Sequence, residues 1–72
     1  MSAKPLKELA ADAVGVYRDE FPRSGPDWGS GWWVEAWTMD QRAGLDCTFS
    51  EYIAACKAVW NDWRPAVAHP RV

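Results

Sequence analysis

The sequence lacks a cluster of basic residues. Its 72 residues contain eight Lys and Arg against ten Asp and Glu, a net charge of -2, and the basic residues are scattered singly from Lys4 to Arg71. Nucleic-acid binding depends on clustered Lys and Arg that neutralise phosphates. The charge pattern therefore argues against nucleic acid as a partner.

Long apolar runs are also missing. No segment approaches the roughly 18 uninterrupted apolar residues of a membrane span. The opening stretch, MSAKPLKELAADAVG, is interrupted by Pro5, Lys7 and Glu8 and does not resemble a secretory signal. We therefore expect no membrane partner, a cytoplasmic location, and reduced thiols at Cys47 and Cys56.

Residues that carry catalysis or bind metals are few. The single histidine, His69, lies in a proline-flanked segment, and two cysteines with one histidine do not form a zinc site. Cys56 is predicted to be a small core residue. Cys47 precedes the helix cap Thr48, where a helix N-terminus lowers a thiol pKa, but no base accompanies it. We predict no enzyme activity, no metal and no cofactor.

Three segments have helical periodicity, at about residues 4–21, 31–43 and 48–64. The first begins near Pro5 and must stop by Phe21, before Pro22. Its predicted core stripe is Leu6, Leu9, Ala10, Ala13, Val16, Tyr17 and Phe21. The third opens with a capping box at Thr48 and Glu51. Its stripe is Phe49, Tyr52, Ile53, Cys56, Val59, Trp60 and Trp63, and Pro65 ends the helix.

The predicted fold is all-α, a small three-helix bundle with an aromatic-rich core. Residues 1–64 form one helical domain and residues 65–72 a flexible C-terminal tail.

The most unusual segment is DWGSGWWVEAW, residues 27–37, which holds four of the six tryptophans. Ser30 is a plausible N-cap and Gly44 a plausible C-cap, so a helix is favoured over a strand for residues 31–38, although the aromatic content also suits a sheet. Read as a helix, the segment has two apolar stripes about 100° apart. One contains Trp32, Ala36, Met39 and Ala43, and the other contains Trp33 and Trp37.

One small core has limited room for six indoles, since each buries roughly 150–250 Å². Placing Trp32, Trp60 and Trp63 in the core leaves three tryptophans over. The favoured interpretation makes these a protein interface with a polar rim, comprising Asp27, Trp28, Trp33, Glu35, Trp37 and Asp40. The alternative is that Trp28 folds back from its loop and closes one end of the bundle.

Residues 39–53, MDQRAGLDCTFSEYI, resemble a helix-turn-helix, with Gly44 at the turn and Ile53 facing inward. Two positions depart from that pattern. Asp40 stands where a small residue normally packs between the helices, and Ser50 stands where an apolar residue is expected. The start of the would-be recognition helix is acidic, which disfavours DNA contacts.

The expected function is therefore stoichiometric binding of a larger protein, as an inhibitor or adaptor. In size and acidity the chain is similar to phage-encoded inhibitors of host proteins, including anti-CRISPR proteins. Two alternatives remain: a helix-turn-helix-like transcriptional regulator that binds DNA, and a structural homo-oligomer, such as a homodimer, that hides the tryptophans in a self-contact.

Overall fold

The fold is the predicted all-α bundle of three helices. The computed structural model describes residues 4–62, in which α1 spans Leu6–Glu20, α2 spans Gly31–Arg42 and α3 spans Phe49–Asp62. Residues 31–38 are therefore helix and not strand. The predictions for Trp63, for the end of the third helix at Pro65 and for the tail with His69 lie outside the described residues.

Local sequence signals set the helix ends as expected. Pro5 is the N-cap of α1, and Phe21 is its C-cap, with the Phe21 amide donating to the Tyr17 carbonyl at 2.8 Å. At the start of α2, the Ser30 hydroxyl accepts a hydrogen bond from the Trp32 amide at 3.2 Å. Each cap provides a partner for a backbone group that the helix itself leaves unpaired.

The connection between α2 and α3 has a defined geometry. Gly44 has φ of 118°, a conformation that favours glycine, and its amide donates to the Gln41 carbonyl while the Leu45 amide donates to the Asp40 carbonyl. This pair of bonds is a Schellman motif. The predicted capping box follows: the Thr48 amide donates to the Glu51 carboxylate at 2.9 Å, and the Glu51 amide donates to the Thr48 hydroxyl at 3.1 Å.

The α2–α3 unit differs from a DNA-binding helix-turn-helix in two respects. The connection covers residues 43–48, whereas the turn of that motif has about three or four residues. Asp40, at the position where a small residue would let the helices approach, instead accepts a hydrogen bond from the Tyr52 hydroxyl at 2.8 Å. The two helices are therefore linked by a polar contact.

The core is formed by one face of each helix. The stripe predicted for α3 is confirmed over the described residues, since Tyr52 and Cys56 are fully buried and the other members pack around them. The buried residues are Ala10, Ala13, Val14, Tyr17, Trp33, Tyr52 and Cys56.

On α1 the buried face is rotated relative to the prediction. Val14 is fully buried, whereas Val16 is 49% exposed and Phe21 is 40% exposed. The buried row runs through Ala10, Val14 and Tyr17, which follow one another at intervals of four and three residues, each about one helical turn. Assigning Val16 and Phe21 to the core was therefore wrong, because α1 presents the Val14 side to the rest of the bundle.

Candidate functional site

Trp33 lies at the centre of the bundle. It has no exposed surface, and its ring stacks on Tyr17 at a centroid distance of 4.7 Å and packs against Trp28 at 4.7 Å. Its indole N–H has no hydrogen-bond acceptor among residues 4–62, so apolar packing determines its position. The prediction that Trp33 forms part of an exposed protein interface is wrong, because rings from α1 and from the preceding loop enclose it.

Trp28 folds back from the loop and closes one end of the bundle, which was the alternative interpretation. Its half-buried ring contacts Trp33 and lies edge-on to Trp60 at 5.9 Å. The Tyr17 hydroxyl holds the loop in place, since it donates to the Gly25 carbonyl at 3.4 Å and accepts from the Asp27 amide at 3.3 Å. Asp27 is exposed beside this closed end.

Trp37 secures the connection between α2 and α3. Its indole N–H donates to the Cys47 carbonyl at 3.0 Å, and its ring lies 5.6 Å from that of Phe49. The Gln41 side chain accepts from the Cys47 amide at 3.1 Å. Trp37 is half-buried, so only part of its ring remains for contact with another molecule.

The open apolar surface lies elsewhere, between α1 and α2. A groove of about 380 Å³ separates these helices, with Tyr52 of α3 at its floor. Val16 on one wall and Met39 on the other are 49% and 69% exposed. We call this the α1–α2 groove. It is lined by Leu9, Asp12, Ala13, Val16 and Glu20 of α1, by Trp32, Glu35, Ala36, Met39 and Asp40 of α2, and by Tyr52.

Polar and aromatic contacts hold the walls of the α1–α2 groove. Trp32 bridges α1 and α2, because its ring lies edge-on to Tyr17 at 5.1 Å and its indole N–H donates to Glu20 at 3.1 Å. The Asp40–Tyr52 hydrogen bond of 2.8 Å joins α2 to α3. The apolar wall residues Val16 and Met39 extend into solvent between these contacts.

The α1–α2 groove is acidic. Among residues 4–62, the lining contains four carboxylates, from Asp12, Glu20, Glu35 and Asp40, and no Lys or Arg. Asp12 forms an exposed ion pair with Lys4 at 3.2 Å, and pairs of this kind are weak and screened by salt. Glu35 and Asp40, which were predicted to border a tryptophan surface, instead line this groove.

Two titratable groups of α3, Tyr52 and Cys56, are fully buried and keep their protons. Burial, followed by the hydrogen bond to Asp40, raises the pKa of Tyr52 far above its ordinary value. Burial also raises the pKa of Cys56 to about 12. Both groups are therefore neutral at physiological pH.

The expectation that Cys47 has a lowered pKa was wrong. Burial, with the nearby charge of Glu51 as the next cause, raises the pKa of this thiol. Cys47 and Cys56 are both free thiols, and raised pKa values disfavour the nucleophilic thiolate in each. Between residues 4 and 62, no three metal-ligating side chains converge.

Sequence reasoning identified Trp32, Ala36, Met39 and Ala43 as one stripe and placed Trp32 in the core, against which Trp32 does pack, but it did not identify a groove beside this stripe. The signal that it missed is the match between this stripe and Leu9, Ala13 and Val16 of α1, since both repeat at intervals of four and three residues. In this structure the two rows lie on the α1 and α2 walls of the groove.

None of the helices in the described range is long and apolar enough to cross a bilayer. Comparison of the chain with protein-family models, with the sequences of characterised proteins and with solved structures gave no match.

Proposed function

We propose that the protein is a binding module that acts stoichiometrically by holding part of a larger protein in the α1–α2 groove. The observation that carries this proposal is the exposure of Val16 and Met39 on the two walls of one groove. Apolar side chains exposed on both walls of one groove give a partner's apolar side chains a place to be buried, and apolar surfaces of this kind are where soluble proteins commonly bind another molecule.

The character of the groove supports a protein partner. Met39 has a flexible, polarizable side chain, which adapts to differently shaped partner surfaces. Glu35, beside it on α2, supplies a polar border of the kind that surrounds the apolar centre of protein interfaces. Binding of this kind masks the partner's own contact surface or bridges it to another molecule, so the module acts as an inhibitor or an adaptor.

Two further features support a cytoplasmic location and a partner other than DNA. The two cysteines are free thiols, as in proteins of reducing compartments. The start of α3 carries Asp46 and Glu51 and does not favour phosphate contacts, so the DNA-binding alternative gains no support from this surface.

A matched pair of variants tests the proposal. Met39→Glu places a charge in the groove, and Val34→Glu places the same charge on an exposed residue of α2 outside the groove lining. Tagged wild type and both variants are used to capture proteins from extracts of the source cells, with quantification by mass spectrometry. We expect a protein that wild type and Val34→Glu retain and Met39→Glu loses. If every retained protein binds all three equally, the groove is not the binding surface.

A further inference from the structure

The walls and charges of the α1–α2 groove suggest what it binds. Resting on the proposed function, we infer that the bound segment is a cationic amphipathic helix of the partner protein.

The spacing of the wall residues favours a helix as the occupant. On α1 the lining residues Leu9, Ala13 and Val16 follow one another at intervals of four and three, and on α2 Trp32, Ala36 and Met39 do the same. This is the spacing with which helices present a seam to another helix, whose side chains then insert between the residues of the seam. A helix seated between the two rows completes a four-helix arrangement.

The length of the groove sets the size of the bound segment. The α1 wall runs from Leu9 to Glu20, which at 1.5 Å per residue is about 16 Å. About three turns of helix fit along this wall. The partner helix therefore presents three apolar residues at positions i, i+3 or i+4, and i+7, which is the pattern of helix-in-groove recognition.

The charge of the groove specifies the flanks of that helix. Glu35 is exposed on the α2 wall and Asp12 on the α1 wall, where Asp12 pairs with Lys4 at 3.2 Å, and among residues 4–62 no Lys or Arg belongs to the lining itself. Lys and Arg beside the apolar residues of the partner match these carboxylates and speed association. A second copy of this chain is a poor match, because two identical grooves placed face to face bring their carboxylates together.

The inference is tested by selection from a displayed library of helix-forming peptides of about 14 residues with random sequence, which span the groove with a turn to spare. The full chain is the target, and Met39→Glu serves for counter-selection so that only groove-dependent peptides are kept. We expect the selected peptides to carry net positive charge and apolar residues at i, i+3 or i+4, and i+7. Groove-dependent peptides that are neutral or acidic would overturn the cationic assignment and leave the proposed binding function intact.

Two charge-reversal variants measure the electrostatic contribution to the affinity for a selected peptide. Glu35→Lys should weaken a selected peptide by about two- to tenfold, and the effect should shrink as salt is added. Asp62→Lys, an equal change of net charge on an exposed residue outside the groove, should leave the affinity within about twofold. Equal losses in both variants would show that net charge, and not the groove, attracts the peptide.

Two further outcomes would identify a different occupant. Dimerisation of wild type that Met39→Glu abolishes, measured by sedimentation, would assign the groove to a second copy of the chain. NMR contacts between the groove and residues 63–72 would assign it to the chain's own C-terminal segment. Either result contradicts the inferred helix from a partner.

Discussion

The two sides of α2 carry apolar residues of similar type in different surroundings. One side, which we call the closed side, carries Trp33 and Trp37. Neighbouring residues enclose Trp33 completely, and the Trp37 indole N–H donates a hydrogen bond to the Cys47 carbonyl. The other side, which we call the open side, carries Trp32 and Met39, which line the α1–α2 groove, and Met39 is 69% exposed. The comparison shows that ring size does not decide which stripe of a helix is buried. The partners available on the facing elements decide it.

The largest expected difference is in stability. Trp33→Ala should lower the free energy of unfolding by about 3–5 kcal/mol, because it empties the centre of the aromatic core, and a domain of this size has little more to lose. Met39→Ala should cost less than about 0.5 kcal/mol, since Met39 is largely exposed. Urea unfolding followed by circular dichroism measures both. Similar losses in the two variants would mean that the two sides of α2 are not different.

Alkaline pH should lower the free energy of unfolding through Cys56, a buried residue of the core. Cys56 has its pKa raised to about 12 in the folded state, so the folded form holds this proton more tightly than the unfolded form. Its contribution is complete below the ordinary thiol pKa of 9.0 and is lost as the pH rises towards about 12. The raised pKa of Tyr52 acts in the same direction above pH 10.0.

We therefore expect wild type to lose stability from about pH 9 upward. Cys56→Ala should start from lower stability, because of the cavity, but should lose less over the same range. Free energies of unfolding measured from about pH 8 to about pH 11 make the comparison. If the curves of wild type and variant fall in parallel, Cys56 does not titrate in the way its burial requires.

A smaller effect separates the two partly buried indoles. Trp37→Phe removes the hydrogen bond to the Cys47 carbonyl and should cost about 1–2 kcal/mol. Trp32→Phe removes an exposed hydrogen bond to Glu20 and should cost less than about 1 kcal/mol. Thermal unfolding of both variants tests the order. A larger loss for Trp32→Phe would reverse the assignment of the closed and open sides.

A further small effect is a gain in stability. Gly15 lies between buried Val14 and exposed Val16, and a Cβ at this position would meet no atom within 4 Å outside the adjacent helix backbone. Gly15→Ala should therefore stabilise α1 by about 0.5–1 kcal/mol through helix propensity. Urea unfolding checks the sign. Destabilisation would show that the space around Gly15 does not accommodate a Cβ.

Signals that act within a few residues could be predicted from the sequence. The caps at Ser30 and Thr48, the turn at Gly44 and the stop before Pro22 each depend on local backbone chemistry, and all four are present as expected. They establish three helices without any knowledge of how those helices pack.

The faces of α1 and α2 could not be predicted in the same way. The periodicity of α2 offers two stripes, and the choice depends on Tyr17 and Trp28, which reach Trp33 from other parts of the chain. The same limit applies to Val14 and Val16 on α1. The predicted site therefore contained the groove residues Glu35 and Asp40 but placed them beside the wrong tryptophans.

The most direct test of the central claim is site-specific photocrosslinking in extracts of the source cells. A photoreactive phenylalanine replaces Met39 in the α1–α2 groove or Val34 on the exposed surface of α2 outside it. We predict a specific crosslinked protein from position 39 and no comparable product from position 34. Equal crosslinking from both positions, or a product from position 34 alone, would contradict the assignment of the groove as the binding surface.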